Sequence, residues 1–447
     1  MSQKALPGFR DFFPAELAER AHVMRAWREV ARRYAFVEYD GPPLEPLELY
    51  TKKSGEEIVG QLYNFADKGG RDITLRPEMT PTFARMVASR GNALRKPVRW
   101  FSTPQLFRYE RPQKGRLREH FQLNVDIVGE ADVTADAELL AAAIDICREL
   151  GLTAADIVAR VSDRRLLNAL LVHAGVTDAQ MPAAYAVIDK LEREDHAALD
   201  AKLAAAGLDD ETRARVFRAV VPRSPEQLHA EYGAVPELAE HFTRLGRYFQ
   251  YLEALGAIEW VRLDLSIVRG LAYYTGIVFE LFDRKGEFRA ICGGGRYDNL
   301  LEALGGVSLP ALGFGMGDVV LGELLKARGL MPSTAPRVDY WVAADAEELL
   351  PVVMATATAV RRMGYGVEYA LRPQQLGKQL KAADGAGARR AVILRRDAVA
   401  GAGVATDSPT ITLKTLADGT EEQVPLARWL DDLNQRRLAR LATSADA

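Results

Sequence analysis

The sequence predicts two domains of different class, an α+β domain followed by a smaller α/β domain. Three observations predict it. Phe121, Leu123, Val125 and Ile127 alternate with Gln122, Asn124 and Asp126, the period-2 pattern of a half-buried strand, and with the limb before it this stretch reads as a β-hairpin. Residues from about 160 to 255 are rich in Ala, Leu and Arg at helical spacing with few strand signals, so they read as a helical insertion. Beyond a proline-containing linker the pattern turns to strand, helix, strand, helix, which argues for a separate parallel-type α/β unit. A chain of 447 residues is too long for one ordinary core. With 27% charged residues and a net charge of −3, its composition is globular. That near-neutral balance does not announce a nucleic-acid binder, so any RNA contact must come from local patches.

In chain order, residues 15–34 carry apolar positions at helical spacing, a surface helix packed on a sheet. Strand-like segments alternate with loops up to Gly129, and Ala135–Leu150 is helical, with Gly151 as its stop. Strand signals resume at Arg262 and run through Phe279–Phe282. These segments form a first domain over 1–330, and residues 331–336 have linker chemistry. The second domain, 337–435, comprises Val338–Ala343, a helix over Glu347–Met363, Val367–Ala370, a helix over Gln374–Gly385, Ala391–Leu394 and a closing strand pair near Thr410–Thr415. The tail 436–447 is Arg/Ala-rich and then polar, and is expected to fray. Cys147 and Cys292 stand far apart, so neither a disulfide framework nor a metal site is predicted. No apolar run of about 18 residues and no signal-peptide core is found, which makes the cytoplasm the default location.

The hairpin carries the chemistry. Arg108 and Glu110 are two residues apart on its first limb and share a face. Between the limbs Arg111, Lys114, Arg116 and Arg118 face only Glu119 as opposing charge. A strand-borne arginine beside a basic loop suits a nucleotide phosphate on the sheet and a polyanion at the tip; a solvated surface hairpin is the alternative that composition alone favours. The glycine runs at Cys292–Tyr297 and Gly313–Gly317 match neither a full G-x-G-x-x-G nor a Walker A sequence.

The string Phe107-Arg-Tyr-Glu-Arg-Pro-Gln-Lys-Gly-Arg116 resembles the motif 2 hairpin of class II aminoacyl-tRNA synthetases, and within them the histidyl-tRNA synthetase family. Leu6–Pro14, Pro46–Tyr50 with Tyr63–Asp67, Thr74–Thr80, Arg269–Gly276 and Cys292–Asp298 resemble further segments of that family in the family's order, so the likeness covers nearly the whole chain. It implies an antiparallel class II sheet with flanking helices, an insertion that clasps the tRNA acceptor arm, and a C-terminal domain of anticodon-binding type with Leu376–Asp384 on its helix. It also implies a homodimer formed through motif 1, near Pro43–Tyr50. The implied reaction joins histidine to ATP as histidyl-adenylate, with Mg²⁺ accompanying the nucleotide, and passes the aminoacyl group to histidine tRNA.

Residue by residue, the resemblance implies that Arg108 and Arg269 flank the α-phosphate and that Glu110 takes the adenine end of ATP. Glu78, Tyr273, Tyr274 and Tyr297 would surround the imidazole, although adjacent Tyr273 and Tyr274 point to opposite faces of a strand, so at most one enters directly. Gln122 and Asp126, with Thr80, would hold the ammonium. Arg111, Gln113, Lys114 and Arg116 would meet the tRNA. The first glycine run would allow close backbone approach to substrate, and the second would serve strand-to-helix packing. Two departures stand out: Val320 occupies the place of the usual motif 3 arginine, and Ala272 that of an aspartate. Arg116 or Arg296 could replace the missing charge at the γ-phosphate. The altered motif 3 speaks for a histidine-sensing paralogue without ligase activity, the regulatory subunit of ATP phosphoribosyltransferase. Intact Arg108 and Arg269 and the C-terminal domain speak for the enzyme. An RNA-binding module that has lost catalysis has no feature in its favour.

Overall fold

The structure, a computed structural model, describes residues 5–51, 60–91, 93–113, 115–268, 274–332, 338–400 and 408–445. Two compact units divide the chain, residues 1–332 and 333–447.

The strands of the first unit are β1 (Val37–Glu38), β2 (Leu44–Pro46), β3 (Tyr63–Ala66), β4 (Asp72–Leu75), β5 (Val98–Ser102), β6 (Gln105–Phe107), β7 (Glu119–Val128), β8 (Ile157–Asp163), β9 (Val261–Leu263), β10 (Ile277–Asp283), β11 (Cys292–Arg296) and β12 (Ala311–Gly317). Its main sheet runs β1-β5-β7-β12-β11-β10-β8-β9, with β6 beside β7. The pairs from β5 to β8 are antiparallel, and the outer β1 and β9 join in parallel. Strands β2, β4 and β3 form a separate small sheet.

The apolar face of β7 explains why the helices lie where they do. Leu123, Val125 and Ile127 are buried in one core with Trp27 and Val30 of the helix Pro14–Arg33 and with Leu140 and Ile144 of the helix Val133–Glu149. Each such side chain contributes about 1.5–3 kcal/mol on burial. Asp132 caps the second helix by accepting from the Thr134 N–H at 3.0 Å. Gly151 follows its end at φ 83°, a left-handed turn that an L side chain would strain. With β7 covered on this side, its polar row faces the other.

In the first unit two expectations need correction. The helical insertion begins at Arg164, not near 160, because residues 160–163 belong to β8. The alternation in Ile-Val-Ala-Arg-Val-Ser-Asp is answered by β10 residue for residue, from Ile277 opposite Asp163 to Asp283 opposite Ile157. Beyond it the helices from Arg164 to Ala254 build a core of their own around Leu166, Leu170, Leu203, Val216 and Leu245. The first limb of the hairpin is also shorter than its pattern implies. It ends as a strand at Phe107, so Arg108 and Glu110 stand in the loop. The Arg108 N–H still donates to Arg118 O at 2.9 Å, but Arg118 N–H turns away to Gly8 O and Glu110 N–H folds back on Arg108 O. The N-terminal segment has taken the ladder's next partner.

The second unit contains β13 (Tyr340–Ala344), β14 (Val367–Tyr369), β15 (Arg390–Leu394), β16 (Thr410–Thr415) and β17 (Glu421–Pro425), in the order β14-β13-β15-β16-β17. The first three strands are parallel and the last two antiparallel, so the sheet is mixed. Helices Leu350–Arg362, Leu376–Gly385 and Leu426–Ala445 accompany it. Instead of fraying, the tail continues the last of these helices to Ala445; Trp429 and Leu433, one turn apart, are buried against Val342 and Val353 and anchor its start. No described helix is long and apolar enough to cross a membrane.

Candidate active site

The polar row of β7 looks into a cleft of about 450 Å³, within the usual range for a small-molecule site. His120, Gln122, Asn124 and Asp126 project from the strand. Glu78 and Thr80 line it from the segment after β4, Arg108, Glu110 and Arg116 from the loop, Tyr274 and Tyr297 from the far wall, and Val320 from the helix after β12. Apart from Arg296, every described residue expected at the histidine or ATP end is thus on one cavity. Arg269, Ala272, Tyr273 and Lys114 lie outside the described residues.

The floor of the cleft is made by glycine. In register, Gly313 faces Asp126 and Gly315 faces Asn124, and residues opposite each other in an antiparallel pair share a face. A Cβ on Gly313 would strike the Asp126 carboxylate, and one on Gly315 the Gln122 amide. Those side chains occupy the volume β12 leaves open. In the first glycine run Gly293 lines the cleft while Gly294 and Gly295 admit Phe314 and Val278 of the neighbouring strands, and the second run makes room for the polar groups.

Asp126 is buried, and its Oδ1 accepts from the Tyr297 hydroxyl. Burial pushes its carboxyl up to about 7, with the Tyr297 bond pulling the other way. The folded protein holds this proton above the ordinary carboxylate range, so the stability tied to it is full below the unfolded value and is lost as pH rises through about 7. An ammonium ligand needs the carboxylate, so its binding should expel the proton. Calorimetry of histidine binding at pH 6.5 in buffers of different ionisation enthalpy should show proton release, reduced by Asp126→Asn; equal release in both proteins would place the titrating group elsewhere.

Arg76, which sequence reasoning passed over, fixes the segment that carries Glu78. It is 5% exposed, donates from Nη1 to Asp40 and to Gly41 O, both at 2.7 Å, and from Nε to Gln105 O at 3.1 Å. Arg108 Nε donates to Pro77 O at 2.9 Å. Burial raises the Glu78 carboxyl and the Arg108 charge draws it back. His120 and Asn124 were also overlooked, though their period-2 spacing with Gln122 and Asp126 was the signal that could have found them. Burial first, and then the Arg108 charge, push the His120 imidazole down to about 4, so it is neutral at physiological pH.

The cationic loop is less free than its composition implies. Arg116 is paired with Glu110. Arg118 Nε donates to Glu110 O at 3.1 Å, and its guanidinium lies over the Tyr109 ring. Glu119, the acid expected to face the loop, is 1% exposed and held by Arg10 at 2.6 Å. Arg111 is exposed, and Gln113 Oε1 accepts from Arg289 at 3.0 Å. Of the two arginines offered for the place left by Val320, Arg296 is withdrawn. It is enclosed behind the wall, bound to Asp136 at 2.5 Å, to Asp298 at 3.2 Å and to Glu130 O at 2.9 Å. Arg116 lines the cleft, and its neighbour Gly115 adjoins Val320, which a Cβ would touch at 3.4 Å.

The family model described as Histidyl-tRNA synthetase matches residues 8–317. The chain is 42% identical over 435 residues to the histidine–tRNA ligase of Opitutus terrae, covering 94% of this chain and 96% of that one. It is 39% identical to the chloroplastic/mitochondrial histidine–tRNA ligase of Arabidopsis thaliana, covering 94% and 84%. Among solved structures, the histidyl-tRNA synthetase of Nostoc sp. PCC 7120 shares the fold with a TM-score of 0.82 at 24% identity, covering 98% of this chain and 100% of that one. A Bacillus halodurans protein described as an ATP phosphoribosyltransferase regulatory subunit/histidyl-tRNA synthetase does so with a TM-score of 0.73 at 21% identity, covering 88% and 99%. With a family match over most of the first unit and relatives of this identity along nearly its whole length, the chain belongs to the histidyl-tRNA synthetase family.

Proposed function

We infer that this protein is a histidine–tRNA ligase, which activates histidine with ATP and transfers it to the 3′ end of histidine tRNA. The observation that carries the reading is one strand face: β7 aims Gln122 and Asp126 into the cleft that Glu78 and Arg108 also line. In the first step a carboxylate oxygen of histidine attacks the α-phosphorus of ATP, and the bond to pyrophosphate breaks. In the second a ribose hydroxyl of the terminal tRNA nucleotide attacks the activated carbonyl, and AMP leaves.

On this reading Gln122, Asp126 and Thr80 hold the ammonium, and Glu78, Tyr297 and, of the adjacent tyrosine pair, Tyr274, which lines the cleft, read the ring. Hydrogen-bonding groups of this kind reject analogues that lack the ring nitrogens. Arg108 and Arg269 meet charge that builds on the α-phosphate, and Glu110 takes the adenine end. Arg116, turned into the cleft, goes to the triphosphate in the place Val320 leaves open. Arg111, Gln113 and Lys114 remain for the tRNA, Gln113 at a base edge and the cations on phosphates. Mg²⁺ enters with the nucleotide. The C-terminal unit takes the anticodon, and the protein works in the cytoplasm.

The deciding experiment is ATP–pyrophosphate exchange. Exchange that depends on histidine supports the ligase; histidine binding without exchange would mean the sensing paralogue. We also propose a twofold homodimer through β2 and its neighbours, where Leu44 and Phe65 are 41% and 50% exposed. Light scattering should give twice the chain mass at micromolar concentration, and a monomer there would remove the proposal.

A further inference from the structure

Two tyrosines form the far wall of the cleft, Tyr274 and Tyr297, and each is followed by a residue held from outside it. Arg165, in the first turn of the insertion's leading helix Arg164–Ala174, donates from Nε to Thr275 O at 3.0 Å and from Nη2 to Asp298 Oδ2 at 3.0 Å. Thr275 and Asp298 are joined to one another as well. The Thr275 hydroxyl donates to Asp298 Oδ2 at 3.0 Å and accepts from the Asp298 N–H at 3.1 Å.

The helix start that carries Arg165 is itself fixed. Asp163 caps it through the N–H groups of Arg165 and Leu166, and Asp163 is locked opposite Ile277 in the sheet. Arg164 adds two bonds to the same region, from its N–H to Gly276 O at 3.0 Å and from Nη1 to Val268 O at 2.9 Å. One helical turn thus grips the chain on both sides of residues 269–274. Arg165 takes no part in lining the cleft.

We infer that Arg165 is a positioning residue for the histidine pocket. Its fork reinforces the direct Thr275–Asp298 bonds and the Thr275 N–H bond to Arg296 O at 2.8 Å, and so stiffens the separation of Tyr274 and Tyr297. The Tyr297 hydroxyl then stands on Asp126, and the two rings stand at one width. The inference rests on the reading that this wall holds the histidine ring. Its side chain is 44% exposed, and an ion pair in that setting contributes little to stability. The effect of Arg165 should therefore appear in substrate binding and leave the unfolding midpoint in place.

The test is exchange kinetics at varied histidine and varied ATP for Arg165→Ala, Thr275→Val, Tyr297→Phe and the double variant Arg165→Ala/Tyr297→Phe. Arg165→Ala should raise the histidine KM about tenfold while the ATP KM stays within about twofold. Thr275→Val, which keeps the side-chain shape and deletes the hydroxyl, should move the same constant in the same direction. In the double variant, Arg165→Ala should raise the histidine KM by clearly less than it does in the unmodified protein, because part of its effect runs through the Tyr297 hydroxyl. Equal rises in both KM values, or losses that multiply in the double variant, would overturn the role of Arg165 alone. A Tyr297→Phe protein with an unchanged histidine KM would overturn the histidine pocket, and this inference with it.

Discussion

An Arg108→Ala variant should form histidyl-adenylate about 10²- to 10³-fold more slowly, the usual cost of deleting one preorganised group aimed at transition-state charge. The guanidinium is anchored by its Nε bond to Pro77 O, which leaves its outer nitrogens for an incoming phosphate. Negative charge on the α-phosphate grows between ground state and transition state, so the loss belongs in kcat and much less in histidine affinity. Single-turnover quench measurements separate the two. A fall of less than about tenfold, near 1.4 kcal/mol, would show that another group carries the charge, and Arg269→Ala is the comparison to run beside it.

Arg296→Ala should lower the folding free energy by about 3–5 kcal/mol, the range for breaking a buried ion pair from one side. Arg296 is 4% exposed and Asp136 3% exposed, so no water replaces the missing partner. Burial already lifts the Asp136 carboxyl to about 6 against the pull of Arg296. Without the arginine it rises further, and the sign is then fixed. The folded state prefers the protonated acid, so the deficit should be small near pH 5 and should grow as pH rises past Asp136's raised value. Urea unfolding at pH 5 and pH 8 measures both ends; a deficit below about 1 kcal/mol at each pH would mean that the site relaxes and readmits solvent.

The reach of sequence reasoning can be judged on β7. Its alternation gave both faces, because a period of two is a property of the chain alone. The same rule failed at Arg108 and Glu110, where the pattern was sound but Gly8 had taken the ladder partner; such competition comes from a distant segment and leaves no local trace. It failed again at residues 160–163, whose strand identity depends on β10 lying alongside. Arg296 looked available for phosphate because a sequence records a charge and not its enclosure by Asp136 and two backbone carbonyls. His120 and Asn124 are a different kind of miss: they shared the spacing of the residues chosen and were legible throughout.

The glycine floor limits how this pocket could be retargeted. A binding site is usually enlarged by trimming side chains, but Gly313 and Gly315 have nothing left to trim. Any further depth beneath the ligand would have to come from Gln122 or Asp126, the groups assigned to the ammonium that every α-amino acid carries. Laboratory evolution toward a bulkier amino acid should therefore leave the floor untouched and collect its substitutions along Glu78 and Tyr274. On the proposed assignment, the backbone end of the substrate would be held by what cannot change, and the side-chain end by what can.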